Sequence, residues 1–71
     1  MTNKELLEQA IADAGIKINK LMNVAGIRSY ATFRGRMNNE SEFTASEIQA
    51  ISMALNLSAS QRNRIFFATD V

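Results

Sequence analysis

The chain has 71 residues, eight Lys and Arg against seven Asp and Glu, 46% hydrophobic residues, and neither histidine nor cysteine. Only one small domain fits that length, and a fold of this size removes about 60% of the surface its unfolded chain exposes. Disulfide staples, zinc fingers, thiolate nucleophiles and imidazole bases are excluded by composition, and with no apolar run longer than Ile65 to Ala68 neither a signal peptide nor a membrane span is expected.

No proline interrupts the chain and its three glycines stand singly, so helices with short connections are expected. Thr2 to Glu5 reads T-N-K-E, the pattern of a capping box with Thr2 as the cap. Behind it Leu6, Leu7, Ala10, Ile11 and Ala14 recur at helical spacing, and Gly15 ends the first helix. A second helix is predicted over residues 18–25, with Leu21, Met22 and Ala25 inward and Gly26 closing it. Ser29 then caps a third helix on which Tyr30, Phe33 and Met37 make one apolar stripe. Gly35 lies inside that helix at a cost of about 1 kcal/mol relative to alanine, which implies a weak helix or a close approach to the backbone. Residues 43–48 read F-T-A-S-E-I: Thr44 caps, Glu47 returns the bond, and Phe43 staples onto Ile48. A fourth helix follows, with Ile48, Ile51, Ala54 and Leu55 inward and Asn56 as a left-handed stop. Ser58 and Gln61 repeat the box and open a last helix through Ile65, Phe66 and Phe67, whose two adjacent phenylalanines cannot both face one core.

Charge is unevenly distributed along this frame. Residues 1–15 carry a net −2, residues 16–39 carry +5 without an acid, residues 40–50 carry −3, and the remainder +1. An acid-free basic block suits a phosphate-facing surface, and the acidic block behind it repels a polyanion. The plain alternative for both is solvated helix surface.

Two short helices joined by a tight glycine-containing turn, with basic and polar residues on the second, fit a helix-turn-helix, whose second helix enters the major groove. The five-helix order, the turn L-M-N-V-A-G-I at residues 21–27 and the stretch M-N-N-E-S-E-F-T-A-S-E-I-Q-A-I-S-M-A-L-N-L-S at residues 37–58 together resemble the lambda-repressor-like domains of phage Cro and repressor proteins. The resemblance spans nearly the whole chain. More particularly, the sequence is similar to the modulator-of-repression antirepressors of lactococcal temperate phages. It implies an all-α, compact five-helix DNA-binding domain over residues 1–71 and a regulator of the lysis-lysogeny switch in the cytoplasm of a bacterial host. The implied partner is the phage repressor, with operator DNA bound alone or through the repressor complex, and with a homodimer as a further option; neither a membrane, a cofactor, a metal nor an enzymatic activity is expected.

Where the family usually opens its second helix with Thr-Gln, which caps the helix and bonds a phosphate, this chain has Lys17 and Ile18. Gly35 replaces a large apolar residue and Asn39 stands in place of a glycine, with a turn one residue longer before Phe33. An isoleucine cannot make the phosphate bond, so these departures favour an antirepressor that acts on the repressor over a Cro-like protein that binds operator DNA alone. The residues placed on the DNA- or partner-binding face are Arg28, Ser29, Tyr30, Thr32, Arg34 and Arg36, since arginine reads guanine and polar side chains touch base edges. Lys17 and Lys20 are candidate phosphate contacts. Glu40, Glu42 and Glu47 could substitute for phosphates against a repressor's basic surface, and Ile18, Phe67 and Val71 could add apolar contact area.

Overall fold

A computed structural model describes residues 1–68, which form five helices and, among those residues, no strand. Helix α1 spans Lys4–Ala14, α2 Ile18–Ala25, α3 Tyr30–Met37, α4 Ala45–Ala54 and α5 Ala59–Phe66. The radius of gyration is 10.9 Å, matching the ~11 Å expected for a folded chain of this length. Val71 lies outside the described residues.

Each helix is delimited by local chemistry. Ser29, Thr44 and Ser58 cap α3, α4 and α5 as the sequence predicts, and the last two are full capping boxes closed by Glu47 and Gln61. The first cap is displaced by one residue. Asn3, not Thr2, accepts from the Leu6 N–H, because Thr2 is buried and engaged elsewhere: its N–H donates to Asn39 Oδ1 at 2.8 Å and its carbonyl accepts from Asn39 Nδ2 at 3.0 Å. Asn3 also donates its own N–H to the Ile65 carbonyl, so the chain start is laced to the end of α5 as well as to the α3–α4 loop. Lys17 precedes α2 without giving it a side-chain cap.

Four of the five helices, all but α5, end at a left-handed residue. Gly15 and Gly26 have φ of 68° and 74°, and Asn39 and Asn56 adopt φ of 64° and 54°. At Asn39 the Glu40 N–H returns to the Gly35 carbonyl and the Asn39 N–H to the Arg36 carbonyl, which closes the orphan carbonyls of α3. Asn56 does the same for α4 through Leu57 N–H to Ser52 O and Asn56 N–H to Met53 O.

The core gathers Leu7 and Ile11 of α1, Leu21 and Met22 of α2, Phe33 and Met37 of α3, Ile48, Ile51 and Leu55 of α4 with its cap, and Ile65 and Phe66 of α5, with Ile27 and Phe43 from the connections. Helices α2 and α4 form the broadest helix pair, while α5 packs on α1 and α4. Helix α3 is anchored through Phe33 and Met37, and Phe43 bridges it to α5 by edge-on stacking on Phe33 at 6.0 Å and on Phe66 at 5.4 Å.

The apolar stripes are narrower than the sequence suggests. Leu6 and Ala14 of α1 are exposed, as is Tyr30 of α3 at 55%. Phe67 is not part of α5: it caps the helix and is 56% exposed, so Phe66 takes the core position. Three polar residues sit inside, Thr2 ahead of α1 and Glu47 and Ser52 on α4.

Candidate nucleic-acid and partner interface

The exposed edge formed by the α2–α3 connection and α3 holds most of the residues singled out in the sequence. Arg28, Ser29, Tyr30, Thr32 and Arg34 are all exposed. Gly26 turns the chain out of α2, Ile27 is buried against Met22, and Arg28 is thereby left on the surface immediately before the Ser29 cap. Ser29 Oγ accepts from the Thr32 N–H at 3.0 Å and donates to Thr32 Oγ1 at 3.2 Å, so the two hydroxyls are fixed relative to one another at the start of α3. One turn on, the Arg34 guanidinium lies 5.9 Å from the Tyr30 ring centroid, within cation–π range, which steadies both long side chains on the helix surface. Oriented hydroxyls, an aromatic ring and two guanidinium groups on α3 and the residues that lead into it give hydrogen-bond donors, acceptors and a stacking face, the equipment for reading either base edges and phosphates or a polar protein surface.

Arg36 does not join them. Its side chain turns inward at the end of α3: Nε lies 2.8 Å from Glu47 Oε1, and Nη1 donates to Ser41 Oγ at 3.1 Å and to the Glu42 carbonyl at 3.3 Å. Glu47 Oε1 also accepts the Thr44 N–H at 2.9 Å. One carboxylate therefore closes the cap of α4 and neutralises an arginine from α3, with side-chain exposures of only 11% and 20% for the pair. That placement corrects two expectations, since neither Arg36 nor Glu47 is available to an external ligand. The physical reason is the acid's two-fold use: burial of a capping carboxylate demands a cation, and Arg36 is one helix turn from the loop that brings it there.

The consequence of the clamp is a built loop. Arg36 bonds to residues 41, 42 and 47, Asn39 bonds to Thr2 from the other side, and between these anchors Glu40 and Glu42 stand exposed. Two carboxylates are thus held on an ordered turn beside the carboxyl end of α3. Glu40 leans back toward Gly35, where an added Cβ would sit 3.7 Å from its Oε1, an ordinary contact, so the glycine does not answer to a tight approach of the backbone.

Lys17 and Lys20 are exposed at the opposite end of α2, on the rim of a cleft that also includes Ile16, Val24 and Ala54. Ile18 is half-buried and packed against the core, so it offers a partner only part of its surface. Phe67 remains exposed, and besides Tyr30 the large apolar side chains that join it outside are Met1, Leu6, Val24 and Met53, of which helical spacing placed only Leu6 inward. Met53 lies on the side of α4 away from Ile48, Ile51 and Leu55, with Gln49 and Asn56, where helical spacing places it.

Comparison with protein-family models, with curated proteins and with solved structures finds no match to this chain.

Proposed function

We propose that this chain is a helix-turn-helix regulator of the lambda-repressor-like type, with α2 and α3 as its two helices. It acts as an antirepressor that binds a phage repressor and modulates the repressor's hold on its operator in a lysis-lysogeny switch. The observation that carries this reading is the Arg36 clamp: the block of basic residues yields one of its arginines to an internal bond, and that bond orders an acidic loop beside α3. A repressor's DNA-reading surface is basic because it must neutralise phosphates. Glu40 and Glu42, spaced on a rigid turn, offer carboxylates to such a surface in place of phosphates, and Tyr30 and Arg34 alongside supply stacking and hydrogen bonds at the rim of the contact. Occupied in this way, the repressor loses access to its operator.

A second reading is supported by the front half of α3. Arg28, Ser29, Thr32 and Arg34 are exposed together, the set a Cro-like protein would insert into a major groove. With Arg36 withdrawn, two guanidinium groups remain on that face, and few phosphate or base contacts mean weak, strongly salt-sensitive binding by a single module.

A gel-shift series on phage operator DNA separates the two. The antirepressor reading predicts no shift by this protein alone, a shift by the repressor, and loss or change of the repressor's band when this protein is added. Tight, salt-sensitive binding by this protein alone would install the Cro-like reading, and a repressor band unaltered at every ratio would remove the antirepressor reading.

A further inference from the structure

Gln49, Ser52, Met53 and Asn56 follow one another at helical spacing down the side of α4 and past its end, and with Leu57 and Arg62 they line a cleft between α4 and α5. Two polar groups in this cleft lack the partners that burial demands. Ser52 is 9% exposed, and its Oγ is buried without a hydrogen bond. Arg62 is half-buried, its Nε is buried without an acceptor, and its guanidinium forms no ion pair among the described residues. Arg36, the other half-buried arginine, is met by Glu47. No acidic residue lines the α4–α5 cleft to do the same for Arg62. The cleft shares no residue with the α3 face or the acidic loop.

A guanidinium drawn out of water without a counter-charge costs stability, and so does a hydroxyl without a partner. One ligand removes both costs. A carboxylate has two oxygens, one to accept from the N–H fork of Arg62 and one to accept from the Ser52 hydroxyl. Both residues line the open cleft, so rotation about their own side-chain bonds brings these donors to its surface. The Gln49 and Asn56 amides can donate to the lone pairs that remain. Met53, 74% exposed, and Leu57 give the carbon chain behind the carboxylate an apolar wall. The charge also fits, because the single cation in the cleft balances one negative charge and would leave a phosphate dianion half neutralised. Depth argues the same way: a phosphodiester flanked by sugars is too bulky to reach a residue that is nine-tenths buried, whereas the end of a carbon chain is not. We infer that the α4–α5 cleft binds the terminal carboxylate of an aliphatic acid, with Arg62 as counter-charge and Ser52 as the buried donor.

NMR of the isotope-labelled chain titrated with butyrate tests this, with sodium chloride at matched ionic strength as reference. The wild type is expected to show saturable shifts at residues 49–57 and at the Arg62 Nε–H, with a Kd of about 1–10 mM, a range open to so small a ligand. Arg62→Met should weaken binding roughly tenfold or more, and Arg62→Lys, which keeps the charge without the fork, by less. Ser52→Ala should weaken it roughly threefold or more, yet raise the melting temperature of the ligand-free protein, because it removes an unpartnered hydroxyl and brings in a better helix former. A purely structural serine would move both readouts the other way or not at all. Glutamate blocked at both backbone ends separates the sources of the carboxylate: if it binds as butyrate does, the site accepts an acidic side chain of another protein, and if butyrate alone binds, a free acid. Either result supports the site. Shifts that do not saturate, that chloride reproduces or that persist in Arg62→Met, tighter binding of inorganic phosphate than of butyrate, or a Ser52→Ala variant that melts lower would each overturn the proposal. The dispersion of the variants' spectra confirms that a loss of binding is not a loss of fold.

Discussion

Replacing Glu47 with glutamine isolates the charge in the clamp between α3 and α4. Glutamine keeps an oxygen for the Thr44 N–H, now accepted at 2.9 Å, but removes the charge that faces Arg36 Nε at 2.8 Å. Removing one partner of a fully buried ion pair costs about 3–5 kcal/mol, because the other charge is left without compensation. The pair here is 11% and 20% exposed, and Arg36 retains Ser41 Oγ and the Glu42 carbonyl as acceptors, so the loss should be about half that, ~2 kcal/mol. For a domain of this size ~2 kcal/mol lowers the melting temperature by roughly 8–16 °C. Against a total stability of about 4–11 kcal/mol for a chain of this length, that is a large fraction. Thermal and urea unfolding followed by circular dichroism measure it, and a cycle with Arg36→Met, which keeps the aliphatic stem, should return a coupling of about 1–2 kcal/mol between the two sites. A Glu47→Gln variant melting within ~3 °C of wild type, or a cycle with no coupling, would refute the view that this pair joins α3 to α4.

Four further substitutions probe the helix ends and core. Gly35→Ala should stabilise the protein by about 0.5–1 kcal/mol, since the new methyl meets only Glu40 at ordinary distance and alanine is the better helix former; a loss in urea unfolding would show that the backbone there is constrained. Asn56→Gly should be neutral or stabilising by up to ~1 kcal/mol, because the residue is left-handed at φ 54° and exposed, whereas Asn39→Gly at φ 64° should cost about 1 kcal/mol by removing both bonds to Thr2. Equal responses at the two asparagines in thermal melts would contradict the separate role given to Asn39. Phe33→Ala, at 1% exposure and stacked on Phe43, should cost about 3–5 kcal/mol and lower the melting temperature followed by circular dichroism by roughly 12–40 °C.

Most of the architecture was legible because it is written in local chemistry. The S/T-x-x-E/Q boxes at Thr44 and Ser58, the glycines at 15 and 26 and the asparagine at 56 each specify a boundary within a few residues of sequence, and those boundaries agree with the structure. The first cap failed for a reason no local pattern contains: Thr2 is claimed by Asn39, 37 residues away. Tyr30 was misplaced on the apolar stripe because a helix-period reading cannot tell which of three aligned side chains meets a neighbour, and α3 touches the core only along its Phe33 and Met37 edge. In the candidate site, the exposed set from Arg28 to Arg34 followed from position on α3. The fate of Arg36 did not, since it depends on the acid that arrives with the cap of the next helix. Read alone, Glu47 satisfied a capping box and Arg36 a basic face, and only the fold shows that they satisfy each other.

Under the proposed function, the acidic loop docks on a repressor's DNA-reading surface. Titration calorimetry of the purified repressor with this protein, and with the Glu40→Lys/Glu42→Lys double variant, tests it most directly. Both residues are exposed, and the clamp bonds to the backbone carbonyl of Glu42 rather than to its side chain, so the variant should fold as the wild type does. Saturable binding is expected for the wild type, and an affinity at least roughly tenfold weaker, about 1.4 kcal/mol, for the variant. An affinity unchanged by reversing both charges, in a variant shown to be folded, would contradict it.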